Sequence, residues 1–246
     1  MPFELVDFDA SAANPLDAEQ ALLAYASAGR AVAHLWEAQV SLVLPRSYQR
    51  YATLDDARAE FARRGCPVWL RLSGGGLVPQ GPGILNLSLA YPLHATIGTM
   101  ADAVYLHLCE ILADALDQVG VQTHWQAVEG SFCDGRFNLA WGPADDARKI
   151  AGTAQYWRRV PDPAGDATYA VLAHAVLLVD ADPVEINRRA NAFEAMIGSG
   201  RRYEADKVVS VAQALESPGD RLRARVRDAL SAAVLAASPP TADIEK

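Results

Sequence analysis

The sequence predicts an α+β fold in which a mixed or antiparallel sheet is flanked by helices, and three observations lead there. Helical and strand patterns interleave without strict βαβ alternation, so a doubly wound parallel sheet is not expected. Residues 84–90 alternate, with Leu85, Leu87 and Leu89 on one face and Ile84, Asn86, Ser88 and Ala90 on the other, as in a strand with one core face and one partly polar face. Residues 99–119 place Val104, Leu108, Ile111, Leu112, Ala115, Leu116 and Val119 on one stripe at helical spacing, with Cys109 beside it.

In chain order, Asn14-Pro15-Leu16-Asp17 combines a side-chain acceptor, a preset φ and an acid, the features that favour a helix N-terminus. Asp182-Pro183-Val184-Glu185 and Ser217-Pro218-Gly219-Asp220 repeat that signature and predict two further helix starts. Another helix is expected over 54–64. Strands are expected at 41–44, 68–72, 84–90, 136–141, 148–157 and 169–179, with turn-rich segments between them. A single domain is expected over 1–237, and SPPTADIEK, residues 238–246, reads as a flexible tail.

A chain of 246 residues with 51% hydrophobic and 21% charged content can build a sizeable core. Its net charge of −8 argues against a nucleic-acid partner, because neutralising phosphates takes clustered lysine and arginine. The longest apolar run, 169–179, is too short to cross a bilayer and contains His174, and MPFELVDFDA at the N-terminus is acidic where a leader would be basic. No membrane partner and a cytoplasmic location are therefore expected. Cys66, Cys109 and Cys133 have no paired spacing, and His34, His94, His107 and His124 lack a ligand pattern such as H-E-x-x-H, so neither disulfides nor a metal are expected. Trp125, Trp141 and Trp157 read as core or pocket wall.

Two stretches carry chemistry. The first is RLSGGGLVPQGPGILNLSL, residues 71–89, whose glycines can bring a ligand against bare backbone N–H groups or simply make a tight connection. No Gly-Lys-Ser/Thr follows, so it is no P-loop, and the G-x-G-x-x-G spacing is absent. The second is FCDGRFNLAWGPADDARKIAGTAQYWRR, residues 132–159. Of 22 basic residues only Lys149, Lys207 and Lys246 are lysines, so a lysine inside a motif invites a reason: unlike arginine it can lose its proton or act as a compact point charge.

Taken together, Arg71-x-Ser73-Gly74-Gly75-Gly76, the following strand, and Lys149-Ile150-Ala151-Gly152-Thr153-Ala154-Gln155 resemble the lipoate-protein ligase and octanoyl/lipoyl transferase family, over residues 36–197. The resemblance implies the α+β catalytic domain that this family shares with biotin ligases. It also implies that Arg71, Ser73, Gly74, Gly75, Gly76, Val78, Asn86, Gly152, Thr153 and His174 bind the acyl group or acyl-adenylate. His174 is read equally well as a satisfied core histidine. Two departures stand out: Pro45 replaces a glycine in the segment WEAQVSLVLPRSY, and PADDA lengthens the turn before Lys149.

GSFCDGRF around Cys133 resembles the nucleophile segment of the octanoyl amidotransferase branch. That implies catalysis by Cys133 and Lys149: a thiolate takes the acyl group as a thioester, then yields it to a lysine of a lipoyl domain or glycine-cleavage H-type carrier protein. No cofactor is needed on this route. The alternative is an ATP-dependent ligase acting through lipoyl-AMP, with ATP and Mg required and Cys133 incidental. ATP-dependent members commonly carry an accessory C-terminal domain, and fewer than 50 residues follow Ile197, which leans toward the transferase. A third reading is a non-catalytic module that binds acylated carriers. An eight-carbon chain brings on the order of 5 kcal/mol when buried, at about 0.8 kcal/mol per CH₂, so an apolar slot beside the glycine loop is expected.

Overall fold

The computed structural model describes residues 1–8, 14–161, 168–215 and 217–241. Its elements run β1 (Glu4–Leu5), α1 (Ala18–Ser27), β2 (Val32–Trp36), β3 (Ser41–Pro45), α2 (Leu54–Arg63), β4 (Val68–Arg71), β5 (Val78–Gln80) and β6 (Ile84–His94) in the first part of the chain. There follow α3 (Ile97–Gln118), β7 (His124–Trp125), β8 (Leu139–Trp141), β9 (Arg148–Val160), β10 (Thr168–Leu178), α4 (Pro183–Ile197), α5 (Val211–Ala214) and α6 (Leu222–Ala236).

Seven strands form the larger sheet in the order β1-β2-β6-β10-β9-β8-β7, antiparallel everywhere except between β1 and β2. Its spine is β6 against β10, paired from Ile84↔Leu178 to His94↔Thr168. Alternation along β6 sends Leu85, Leu87, Leu89 and Tyr91 into a core under α3 and α6, none of them more than 3% exposed. Asn86 and Ser88 face the other way, and a second layer buries them too.

That second layer has two parts. α1 lays Leu22, Leu23 and Ala26 on Val32, Ala90, Ala170 and Leu172. Beside it stands a small sheet, β4-β3-β5, in which β3 runs parallel to β4 and antiparallel to β5. α2 and α4 belong to the same core: Leu42, Leu44, Phe61 and Phe193 join Ile84, Val176 and Leu178 of the larger sheet. The candidate site lies in the seam between the two sheets.

Mixed sheets flanked by helices are what the sequence predicts, and strands 41–44 and 68–72 and helices 54–64 and 99–119 agree with the structure to within two residues. β6 and β9 run on to His94 and Val160, past the expected 90 and 157, because each keeps finding ladder partners on β10. Other boundaries move for local reasons. α1 starts at Ala18 rather than at Asn14, whose Oδ1 accepts from Leu16 N–H at 3.1 Å and closes a turn ahead of the helix. The signature at 217–220 is also early: Gly219 (φ 68°) and Arg221 (φ 59°) are left-handed, which no right-handed helix continues, so α6 begins at Leu222. Asp182 caps α4 as expected, accepting from Val184 N–H at 2.9 Å.

The strand expected over 136–141 shortens to β8. Arg136 is drawn to Asp102 on α3 at 3.0 Å and Phe137 stacks on Tyr105, so both leave the ladder. β1, β2, β5 and β7 were not expected; β2 shows no polar alternation because it is buried on both faces. Residues 242–246 of the expected tail lie outside the described residues. Among the described residues no helix is long and apolar enough to cross a membrane.

Candidate active site

β4 ends at Arg71, and the chain turns through Ser73-Gly74-Gly75-Gly76 toward β5. The Arg71 side chain is buried and folds back over this turn. Nη2 donates to Gly74 O at 2.7 Å and Gly76 O at 2.8 Å, while Nη1 donates to Val43 O at 3.3 Å. A buried guanidinium thereby satisfies carbonyls that a non-strand segment would leave orphaned. Read in the sequence as a ligand for acyl-adenylate, Arg71 commits most of its donors to protein carbonyls, and its Nη2 also faces Cys133 Sγ at 3.8 Å.

Cys133 enters from the loop between β7 and β8 with φ 47°; among the described residues other than glycine, only Arg221 shares a positive φ. Such a conformation costs about 1–3 kcal/mol and persists only where its surroundings enforce it. Here the enforcement is visible. Lys149 Nζ donates to Phe132 O at 2.6 Å and to Cys133 O at 3.0 Å, Thr153 Oγ1 donates to Phe137 O at 2.6 Å, and Gly76 N–H donates to Sγ at 3.2 Å. Gly75 sits at φ 105°, and a Cβ there would lie 2.7 Å from Sγ, so the thiol and any side chain at position 75 exclude one another.

Lys149, on β9, has no exposed surface, and its ammonium lies 4.5 Å from the centroid of the Phe132 ring. Its path runs across Gly152, where a Cβ would come within 2.8 Å of Nζ. Burial pushes the lysine down to about 8, partly countered by Cys133 and Asp134. For the Cys133 thiol, burial acts upward, but Lys149, Arg71 and the Gly76 N–H together outweigh it and hold the thiol below its usual value. The contrast with Cys109 is instructive. Buried on α3 without a cation, that thiol is pushed up to about 12, as befits core filler. Cys66 is raised by burial as well.

Cys133, Lys149, Arg71, Ser73, Val78, Asn86, Gly152, Thr153 and His174 all border one narrow cavity between the sheets. Val43 and Val78 form one wall; Ala154, Ala175 and Val176 form the other. Gly75 and Gly76 touch Cys133 from outside it, and Gly74 is exposed with open space around it. Ser73 Oγ is buried without a partner among the described residues, a free polar group in the cavity wall. Asn86 is engaged rather than free: it and Gln80 exchange amide hydrogen bonds of 2.8 and 2.9 Å. His174 ends the cavity in a small polar group. Its Nδ1 lies 3.0 Å from Ser88 Oγ, which accepts from Trp36 Nε1 at 3.0 Å, and its Nε2 lies 3.4 Å from Glu19 Oε1. Gln80, Ser88, Trp36 and Glu19 were missed in the sequence, where nothing in linear order joins residues 19, 36, 88 and 174. Among the described residues, no group of three or more His, Cys, Asp or Glu side chains is placed to hold a metal ion.

The family model for the lipoyl protein ligase A/B catalytic domain matches residues 11–232. The chain belongs to this family. As a lipoyl protein ligase A/B catalytic domain it is an enzyme, and its relatives carry names from both branches of the chemistry. An uncharacterized protein of Cupriavidus necator is 60% identical over 252 residues, covering 98% of this chain and all of the relative. An octanoyl-GcvH:protein N-octanoyltransferase of Kyrpidia tusciae is 39% identical over 130 residues, 52% of this chain and 43% of that protein. The chain thus aligns with under half of that transferase's length. Among solved structures, the bi-partite lipoate protein ligase of Thermoplasma acidophilum, described with its E2 lipoyl domain, superposes with a TM-score of 0.62 at 19% identity, over 98% of this chain and 87% of that one. Lipoate-protein ligase A bound with ATP gives 0.62 at 16% identity, over 95% and 86%. At these identities the two structures establish the fold, which is the lipoate-ligase catalytic fold.

Proposed function

We propose that this lipoyl protein ligase A/B domain moves an octanoyl or lipoyl group onto a lysine of a lipoyl domain or glycine-cleavage H-type carrier by way of a thioester on Cys133, without ATP. The observation that carries this reading is the setting of the sulfur: a strained cysteine held by a backbone N–H at 3.2 Å, beside a buried arginine, with a buried lysine in the same cavity. A structural thiol needs none of these.

In the first half-reaction the Cys133 thiolate attacks the donor's acyl carbonyl. The C–S bond forms, the donor's own C–N or C–S bond breaks, and the leaving amine or thiol takes a proton that Lys149 can supply. In the second, a carrier lysine attacks the thioester as its neutral amine. The C–N bond forms, the C–S bond breaks, and the one proton that the amine loses passes to Lys149, which restores the starting thiolate and ammonium. Lys149 suits both halves, since a pKa near 8 lets it give and take a proton close to neutrality. Two of its three N–H bonds go to Phe132 O and Cys133 O, which leaves the third to face charge developing on the acyl oxygen. The acyl tail lies between Val43 and Val78 on one side and Ala175 and Val176 on the other.

Intact-mass spectrometry tests the proposal. Incubation with an octanoylated carrier and no nucleotide is expected to give an octanoyl adduct on Cys133, absent from Cys133→Ala, followed by transfer to an apo lipoyl domain. Carrier modification that occurs only with free lipoate and Mg-ATP, and that survives Cys133→Ala, would establish the adenylating route instead.

A further inference from the structure

Cys133 borders a second recess, on the side away from the acyl cavity. This one opens to solvent and is walled by Gly75 and Gly76, by Ser131 and Asp134, and by Arg201 and Arg202 from the loop after α4. Among the described residues, Cys133 alone borders both spaces. A nucleophile shared by two pockets is what a two-substrate transfer needs: the acyl tail occupies one side while the group that gives or receives the acyl comes from the other.

The outer recess is built, not incidental. Ser131 is 1% exposed, and its Oγ has no hydrogen-bond partner among the described residues, so a buried hydroxyl in this wall awaits one. The arginine loop is anchored from beneath. Glu194, fully buried on α4, accepts from Tyr48 OH and Tyr203 OH, both at 2.6 Å, and Arg201 Nη1 donates to Tyr48 OH at 2.8 Å. Asn191 clasps the Tyr203 backbone with bonds of 2.7 and 2.8 Å, and Glu204 N–H donates to Gly130 O at 2.8 Å, tying the loop to the one that carries Cys133. Arg202 is exposed and makes no hydrogen bond or ion pair among the described residues. Arg201 and Arg202 bring two positive charges to this mouth, set against Asp134 in its wall and the Glu204 carboxyl beside Gly130.

We propose that this recess admits the carrier protein's lysine arm to Cys133 and that Arg202, with Arg201, receives acidic side chains flanking that lysine. The proposal rests on the thioester reading above. Asp134 presents the opposite charge to the arriving ammonium, so the recess matches a lysine set among acids. Matched charge of this kind acts on encounter and on the carrier's KM more than on the chemical step.

The test uses the full chain and two substrates: octanoyl-N-acetylcysteamine, a small thioester with no carrier, and an apo lipoyl domain whose lysine has acidic neighbours. Arg202→Glu is expected to raise KM for the lipoyl domain at least tenfold, with kcat within about threefold, and to flatten its dependence on salt. Arg202→Gln should give a smaller rise, and replacing an acidic neighbour of the carrier lysine by arginine should restore transfer to Arg202→Glu. An unchanged carrier KM in Arg202→Glu, alongside normal acylation of Cys133 by the small thioester, overturns this inference and leaves the thioester reading standing. A KM rise confined to a phosphate-bearing donor such as octanoyl-CoA also overturns it. Failure of the unmodified protein to form any Cys133 adduct brings down both.

Discussion

At Cys133 burial and charge oppose one another, and the sign of the balance decides whether the sulfur reacts. Burial favours the thiol, while Lys149, Arg71 and the Gly76 N–H favour the thiolate and prevail. Lys149→Met removes the largest of those three favourable contributions. The thiol of that variant is expected to titrate higher, followed by thiolate absorbance, and to alkylate more slowly with iodoacetamide at pH 7 as its thiolate fraction falls. The pH profile carries a second expectation. Thiolate is missing at low pH, so acylation by a small thioester rises with pH through the Cys133 ionisation. Lys149 carries its charge below about 8 and loses it above, so the rate levels and then falls beyond that point. A rate that climbs steadily through pH 9 would show that the ammonium is not required.

Among the elements, the turn between β4 and β5 does the most to place the sulfur. With Gly75 at φ 105° and its missing Cβ 2.7 Å from Sγ, Gly75→Ala meets strain and collision together. Turnover should fall at least a hundredfold, while the urea midpoint shifts by an amount corresponding to about 1–3 kcal/mol. Gly152→Ala separates the two partners differently. It displaces the Lys149 ammonium and leaves the Cys133 loop's own sequence intact, so alkylation at pH 7 should slow. These elements were unequally legible. The glycine run, the cysteine segment and the lysine motif each stand in a short window, so their chemistry could be proposed from residues alone. Asn86 could not be judged in this way, because its amide partner Gln80 lies on a three-residue strand containing Pro79 that has no strand signature. The cap at Asn14 misled because a turn uses the same side-chain acceptor as a helix start, and that at Ser217 because left-handed residues at 219 and 221 delay the helix.

For the whole molecule, the cavity exists because a small sheet and a large one face each other across a shared core. Phe193 on α4 packs edge-on against Phe61 on α2, ring centroids 5.0 Å apart, and holds the smaller layer in place. Phe193→Ala is expected to lower stability by about 3–5 kcal/mol in urea titration. The α+β class was legible from interleaved periodicities, whereas the division into two sheets was not, since partner choice among strands depends on contacts distant in sequence. Ser88 of β6 meets His174 of β10 and Trp36 of β2 only after the sheet has formed. Finally, a sulfur shared by an oily chamber and a charged vestibule has a pharmacological side. An electrophile with a greasy tail on one arm and a carboxylated stub on the other would be gripped like a rivet through a plate, and cutting off either arm would loosen it.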